Sequence, residues 1–346
     1  MAFIQQARRV VRGAYGLTPP LRVRPLHRGR VNLSFVVDAA QGRFVLQRLN
    51  PLLARDGAVT ENLARVGHCL LRQGVPAPWL VHANDGQPWV EADGHWRLLS
   101  WVEGRPLKAP SPEAAARALG FLGRFHRALA QCELELLPGP LGEHALQEPF
   151  GPEKWQGLAE DFAGDPKLAE VRDDLERGAA LAAGLPGLDD GTQAVLHGDP
   201  KLDNFLFDDQ GEVTALVDLD TVKRGPVILD VADALRSWAG RRDQDDRVEL
   251  DQETFWAGAA GYAAAGLEPD GGWQGLPDAV AGVALNLAWR YLRDYFQESY
   301  FAWDQARYPS LARQNLARGR GMLQLAGQVL ARRDELLEGL AGRGLR

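Results

Sequence analysis

The sequence holds little cysteine, no surplus of positive charge and no long hydrophobic run. Its two cysteines in 346 residues, Cys69 and Cys132, stand far apart. They form no metal-ligand spacing, no redox pair and no disulfide framework, so free thiols in a reducing cytoplasm are expected. Lys and Arg total 39 against 46 Asp and Glu, for a formal net charge of −7, and the pI is about 5.6. That balance argues against nucleic acid as the main partner, because backbone phosphates need clustered Lys and Arg. It leaves room for a local basic pocket. No segment approaches the ~20 apolar residues of a membrane span. The opening MAFIQQARRVVRGAYGL is amphipathic and lacks the apolar stretch of a signal peptide, so no membrane partner is expected. Internal repeats and low-complexity tracts are missing as well, and nothing in the composition fixes an oligomeric state.

Apolar residues make up 45% and charged residues 25% of the chain, the profile of a globular protein. The length exceeds what one compact core needs and predicts two lobes. Residues 3–16 read as a short helix. LRVRPLHRGRVNLSFVVDAAQGRFVLQRLN then alternates apolar and polar residues, with breaks at Gly29–Asn32 and Asp38–Gly42, which predicts a three-strand meander. A helix follows over about 57–73, with Leu63, Val66, Leu70 and Leu71 on its inner face. Short strands are expected near 79–83, 88–91 and 95–103. Gly and Pro cluster in WVEGRPLKAPSP as at a linker. Ser111 then caps a helix that has Pro112 at its first position and Leu119, Leu122, Phe125 and Leu129 as its apolar stripe. The rest is helical in pattern except for one β island. The predicted architecture is α+β and bilobal: an antiparallel-sheet lobe over 1–102 and a mainly helical lobe over 103–346.

The island is VLHGDPKLDNFLFDDQGEVTALVDLDTV, residues 195–222. AVL is a strand that runs into HGDPKLDN; FLF and TALVD are two more strands joined by the turn DDQG. Folded as an antiparallel hairpin, they return Asp218 alongside the loop that holds Lys201 and Asn204. Asp199, Lys201, Asn204 and Asp218 then face one side. Asp208 and Asp209 are turn residues. These group types suit phosphoryl transfer. One carboxylate orients a hydroxyl and accepts its proton, an amide oxygen and a second carboxylate hold Mg²⁺ between phosphates, and a Lys neutralises the moving charge. A hydrolytic metal site needs more His or carboxylate ligands than the segment offers.

HGDPKLDN followed by a strand-borne Asp resembles the catalytic core of the protein-kinase-like fold. The fuller wording HGDPKLDNFLF…LVDLD is similar to the aminoglycoside phosphotransferase and choline kinase superfamily. The resemblance implies ATP and Mg²⁺ as cofactors, Asp199 as catalytic base, Lys201 as a phosphate-contacting residue, and Asn204 and Asp218 as metal ligands. It further implies that His197 supports the loop, that Asp220 adds to the metal or substrate shell, and that Asp230 of LDVADALRSW braces the loop.

A nucleotide cover, a phosphate clamp and a hinge should accompany that core. RGRVNLSFVV can serve as the cover, with Gly29, Asn32 and Ser34 near phosphate, though it holds one glycine and a plain hairpin turn explains it as well. RFVLQRLN departs from the protein-kinase pattern, which places a Lys on the third strand. Register puts Gln47 there, with Arg48 next to it. Neighbours on a strand face opposite sides, so only one of the two points into the cleft. Glu61 of the following helix can pair with that one, and Arg48 is the charged choice. HWRLLSWVEGRPL reads as a strand entering the hinge, where backbone groups of Ser100, Trp101 and Val102 would meet adenine; packing is the other reading of Trp101.

The flanking segments DLDTVKRGPVILDVADALRS, FVLQRLN with TENLARV, and RYLRDYFQESYF with NLARGRGMLQLA resemble the bacterial N-acetylhexosamine 1-kinases. These phosphorylate the anomeric hydroxyl of N-acetylglucosamine or N-acetylgalactosamine. The resemblance spans about 27–330 and implies a small-molecule sugar as the acceptor. It marks Arg290, Asp294, Tyr295, Tyr300, Arg318 and Arg320 as substrate-binding candidates; an ion pair four apart on a solvated helix is the plainer reading of Arg290 and Asp294. This sequence departs from the subgroup at Gly198, at Arg224-Gly225 and at Gln314-Asn315-Leu316. Kinases of other small alcohols (aminoglycosides, choline, homoserine) and a nucleotide-binding pseudokinase are the competing readings.

Overall fold

The computed structural model describes residues 2–26, 32–51, 53–55, 57–139, 151–186 and 193–346. Its N-terminal part runs α1 (Ala2–Gly13), β1 (Arg22–Pro25), β2 (Leu33–Ala39), β3 (Gly42–Arg48), α2 (Ala58–Arg72), β4 (Leu80–Val81), β5 (Val90–Glu91) and β6 (His95–Ser100). The strands form one six-stranded sheet in the order β1-β2-β3-β6-β4, with β5 also on β6, and each neighbouring pair is antiparallel. Alternation divides its two faces. Phe35, Val37, Leu46, Trp96 and Leu98 pack with Val10 and Val11 of α1 in an outer core. Ser34, Val45, Gln47, Arg97 and Leu99 line a cleft on the other face. Residues at i and i+2 share a face of a strand, so this split follows from the sequence pattern.

The C-terminal part comprises α3 (Pro112–Leu129), α4 (Pro152–Asp161), α5 (Leu168–Ala183), β7 (Ala194–Leu196), β8 (Phe205–Phe207), β9 (Val213–Leu216), β10 (Lys223–Gly225), α6 (Val227–Ala239), β11 (Gly240–Gln244), β12 (Arg247–Leu250), α7 (Gln252–Ala264), α8 (Leu276–Gln297), α9 (Leu311–Ala331) and α10 (Arg333–Ala341). Ser111 caps α3 as anticipated: its Oγ accepts the Ala114 N–H at 3.2 Å. β8 and β9 make the anticipated hairpin, Phe205 opposite Leu216. Two strand pairs were not anticipated, β7 with β10 and β11 with β12. Both are short, and the second carries the charged run GRRDQDDRVEL, which shows no strand alternation. A large core joins Leu119, Leu122 and Phe125 of α3 to the later helices, and it takes in Leu63, Val66 and Leu70 of α2. Helix α2 is therefore packed on the C-terminal part. No described helix is long and apolar enough to cross a membrane.

One expectation is overturned. Cys69 of α2 and Cys132, just past α3, are joined by a disulfide with Cα atoms 6.3 Å apart. Separation in sequence concealed the pairing, because the packing of α2 on α3 brings the two together. The cysteines thus cease to argue for a reducing compartment.

Candidate active site

The cleft between the sheet and the helical part has a volume of about 1700 Å³. Its floor is the loop between β7 and β8. His197 is fully buried there. Its Nε2 lies 3.1 Å from the Val217 carbonyl, and its Nδ1 accepts the Asp199 N–H at 3.3 Å. A carbonyl only accepts and an amide N–H only donates, so the imidazole is neutral with its proton on Nε2. Burial, which pushes its pKa down, agrees. Asp230, at the start of α6, accepts the N–H of His197 at 2.6 Å, the N–H of Gly198 at 2.9 Å and His126 Nε2 at 3.0 Å. Burial alone would raise the Asp230 pKa, but those bonds outweigh it and hold the carboxyl below its ordinary range. Gly198 has φ of 82°, and a Cβ there would run into the Thr221 carbonyl, so the loop needs glycine at that point.

On this scaffold Lys201 pairs with the Asp199 carboxylate. Asn204 Nδ2 donates to the Asp199 carbonyl at 2.8 Å, which orients the side chain and leaves Oδ1 for another partner. The hairpin brings the backbone N–H of Val217 to within 2.9 Å of the Asn204 carbonyl, so Asp218 follows directly beside Asn204. Asp218 adopts the left-handed conformation, φ 71°, which turns its side chain toward the cleft. Its carboxylate takes no hydrogen bond and no ion pair among the described residues. The enclosing protein first, and the nearby Asp220 carboxylate second, push its pKa up to about 6. Burial works against the charge of Lys201, but Asp199 and Asp218 outweigh it and raise its pKa.

Magnesium fits this donor set. Asn204 Oδ1 and the Asp218 carboxylate are hard oxygens on adjacent backbone, unclaimed among the described residues. Groups of three or more His, Cys, Asp or Glu able to hold a metal are not found among the described residues. A two-donor site completed by phosphate oxygens and water is the usual Mg²⁺ arrangement at a nucleotide.

On the nucleotide side, the structure places Gln47 in the cleft and Arg48 on the opposite face. Arg48 Nε donates to the Asp93 carbonyl at 3.2 Å, and its guanidinium stacks on Phe3 at 5.2 Å. The expected pairing of Arg48 with Glu61 is therefore not made. Asn32 Nδ2 donates to Asp220 Oδ2 at 2.7 Å, and Arg97 of β6 pairs with Asp220 Oδ1. Asp220 is thus held from the N-terminal part while still lining the cleft. Gly29 lies outside the described residues. At the hinge, the Ser100 N–H bonds the Trp79 carbonyl at 2.9 Å and the Trp101 N–H the Arg43 carbonyl at 3.3 Å. The Val102 N–H has no such partner among the described residues, so it and the hinge carbonyls are the groups left for a base. Trp101 is half-buried under Arg43.

At the far end of the cleft, Arg290 donates to the Tyr300 hydroxyl at 2.9 Å, and both line the cavity with Arg318 and Tyr291. Three other candidates point elsewhere. Asp294 lines the wall, but its oxygens accept the N–H groups of Ser299 and Tyr300 at 2.9 Å, of Phe301 at 3.0 Å, and Asn315 Nδ2 at 2.9 Å; it anchors the loop after α8. The Tyr295 hydroxyl bonds Glu170 at 2.8 Å and Arg320 bonds Asp174 at 2.9 Å, both outside the cleft. The sequence reading also missed residues. Lys223 and Arg293 line the cavity with no carboxylate partner among the described residues. Asn286 lines it too, with a buried Oδ1 that has no hydrogen bond among the described residues. A lone Asn in the apolar run AVAGVALNLAW was a signal for it; Lys223 and Arg97 had none.

Comparison with solved structures agrees with the architecture. An aminopropanol kinase associated with a microcompartment superposes with TM-score 0.65 at 18% identity, covering 100% of this chain and 99% of that one. An amicoumacin kinase in complex with AMP-PNP, Ca²⁺ and Ami gives TM-score 0.63 at 17% identity, covering 94% and 93%. Choline kinase from Cryptosporidium parvum Iowa II gives 0.57 at 10%, covering 98% and 97%. At these identities the likeness is one of fold. Residues 22–267, well over half of the chain, match the family model described as "Phosphotransferase enzyme family". The matched segment includes the HGDPKLDN loop on the floor of the cleft, and the chain belongs to that phosphotransferase family.

Proposed function

We propose that this phosphotransferase moves the γ-phosphate of ATP to a hydroxyl of a small sugar, at the anomeric position of an N-acetylhexosamine or a related sugar. The observation that carries the reading is the convergence of Asp199, Lys201, Asn204 and Asp218 on the floor of one cleft. In this reading residues 1–102 cover the nucleotide and 103–346 supply the catalytic loop, the metal donors and the acceptor pocket. Asp199 orients the acceptor hydroxyl and takes its proton as the new O–P bond forms. The bond from the γ-phosphorus to the bridging oxygen breaks, and ADP leaves. Lys201 releases Asp199 to the substrate and neutralises the phosphoryl oxygens. Asn204 and Asp218 would hold magnesium, which would supply charge neutralisation for the transferring phosphoryl group.

The acceptor end supports an uncharged, hydroxyl-rich substrate. Lys223, Arg290 and Arg293 line the cavity beside Tyr291 and Tyr300, while Arg318 is paired with Asp245; clustered cations repel an ammonium group. A kinase of another small alcohol is the second reading, and the choline and aminopropanol kinase likenesses favour it. The cytoplasmic setting belongs to this proposal through the need for ATP, no longer through the cysteines.

The test is a panel of sugars and amino alcohols incubated with ATP and Mg²⁺, with phosphorus NMR of the products and Asp199→Asn as control. An anomeric phosphate ester from wild type alone is expected. Turnover of choline or aminoglycosides without sugars overturns the acceptor assignment. Nucleotide-induced stabilisation without any turnover points to a binding module instead.

A further inference from the structure

The third strand lacks the cation that the fold usually places against the nucleotide phosphates. Gln47 stands there, and it is neutral. We propose that Arg97 of β6 supplies the missing charge: its guanidinium binds the diphosphate portion of the nucleotide, and Gln47 is the positioning residue that aims it. The inference rests on the nucleotide-dependent transfer argued above.

Four observations carry it. In the β3–β6 ladder Gln47 and Arg97 are direct partners, and in the β2–β3 ladder Ser34 and Gln47 are, so the three form a row across the cleft face. Gln47 Oε1 accepts from Arg97 Nε at 2.9 Å and from Nη2 at 2.7 Å, while its amide nitrogen donates to Ser34 Oγ at 3.3 Å. An uncharged side chain thereby fixes the plane of the guanidinium. Arg97 is 1% exposed, yet Nη1 has no hydrogen-bond partner among the described residues. A buried charged donor left unmade is costly, and an apolar pair of similar volume is often no less stable than a buried ion pair. Finally, Arg97 pairs with Asp220, two residues beyond the metal-facing Asp218, and lines the same cavity. Its guanidinium therefore lies on the cleft face of the sheet, held to the same short segment that carries Asp218, within one cavity with the oxygens proposed to hold the nucleotide's cation. The cation has moved one strand sideways and kept its place in the cleft.

A role as a mere latch between sheet and loop predicts something different, because it would change stability without changing how the protein tells phosphate from its absence. The experiment compares thermal stabilisation by ADP with Mg²⁺ and by adenosine, in wild type, Arg97→Met, Gln47→Lys with Arg97→Met, and Arg48→Met. Arg97→Met should lose ADP affinity about 10-fold to 100-fold, the range for charge-assisted hydrogen bonds, with adenosine affinity within about twofold. The double variant, which returns a cation to the third strand opposite the lost one, should recover most of the ADP affinity. Arg48→Met should match wild type. If Arg97→Met does not fold, Arg97→Lys carries the test, with a several-fold loss for ADP alone. An unchanged ratio of ADP to adenosine affinity in these Arg97 variants overturns the inference and leaves the phosphotransfer reading intact. A wild-type protein that no nucleotide stabilises overturns both.

Discussion

His197 and Asp199 illustrate what one residue fixes and what it cannot. HGDPKLDN displays its chemistry openly because the loop's working groups lie within eight consecutive residues. Lys223, Asn286 and Arg97 stayed hidden because each reaches the cleft from a different element, and Arg97 meets Asp220 across 123 positions. The choice between Gln47 and Arg48 was a question of strand phase, which one slip of register inverts. Tyr295 and Asp294 are adjacent on a helix and so point in different directions, a difference that a matched segment does not reveal. The neutral His197 makes a pH prediction. Its folded pKa is depressed, so below about 6.5 the unfolded chain takes up a proton that the folded one refuses. Stability attributable to this site is complete above that pH and falls as pH drops, by up to about 1.4 kcal/mol per pH unit. In urea titrations from pH 7.5 to 5, His197→Gln, whose amide nitrogen can keep the bond to the Val217 carbonyl, should show a shallower pH slope than wild type. Equal slopes would remove His197 from the account.

At the level of elements, the hairpin of β8 and β9 was readable because a turn, DDQG, separates two apolar runs. In the structure Asp208 plays the turn role assigned to it, accepting the N–H groups of Gln210 and Glu212 at 2.9 Å. The pairing of β7 with β10 was not readable, since those strands are three residues each and lie far apart in sequence. Helix α6 matters to the site through Asp230. Replacing Asp230 by Ala strands the N–H groups of His197 and Gly198 together with His126 Nε2. At ~1–3 kcal/mol for a buried unsatisfied group, with some relief by water, a loss of about 3 kcal/mol is expected. Denaturant unfolding measures it. A loss under about 0.5 kcal/mol, the range of ordinary surface changes, would show that the loop is braced by something else.

For the whole molecule, the succession of an antiparallel-sheet region and a helical part was legible in the change from alternating to helical pattern. How the lobes hold each other was not. The N-terminal part grips the segment after β9 through Asn32 and Arg97, both on Asp220. Helix α2 shares the large C-terminal core, and a disulfide ties it to the segment after α3. These are long-range pairings with no local signature. Arg97 is 1% and Asp220 6% exposed at the side chain, so Asp220→Ala leaves a buried cation without its partner. Breaking such a pair costs roughly 3–5 kcal/mol. Unfolding of Asp220→Ala, followed by tryptophan fluorescence, should show a loss of that order. A variant as stable as wild type would mean that water reaches Arg97 and that the lobes are held by packing and the disulfide.

The central claim is that Asp199 activates a hydroxyl while neighbouring oxygens hold the nucleotide's metal. Its most direct test is single-turnover phosphate transfer from γ-labelled ATP to the best acceptor, with ADP affinity measured on the same preparations of wild type and Asp199→Asn. The account predicts that the variant binds ADP within about twofold of wild type and transfers phosphate ~10²–10⁴-fold more slowly. Transfer at the wild-type rate by Asp199→Asn would contradict it.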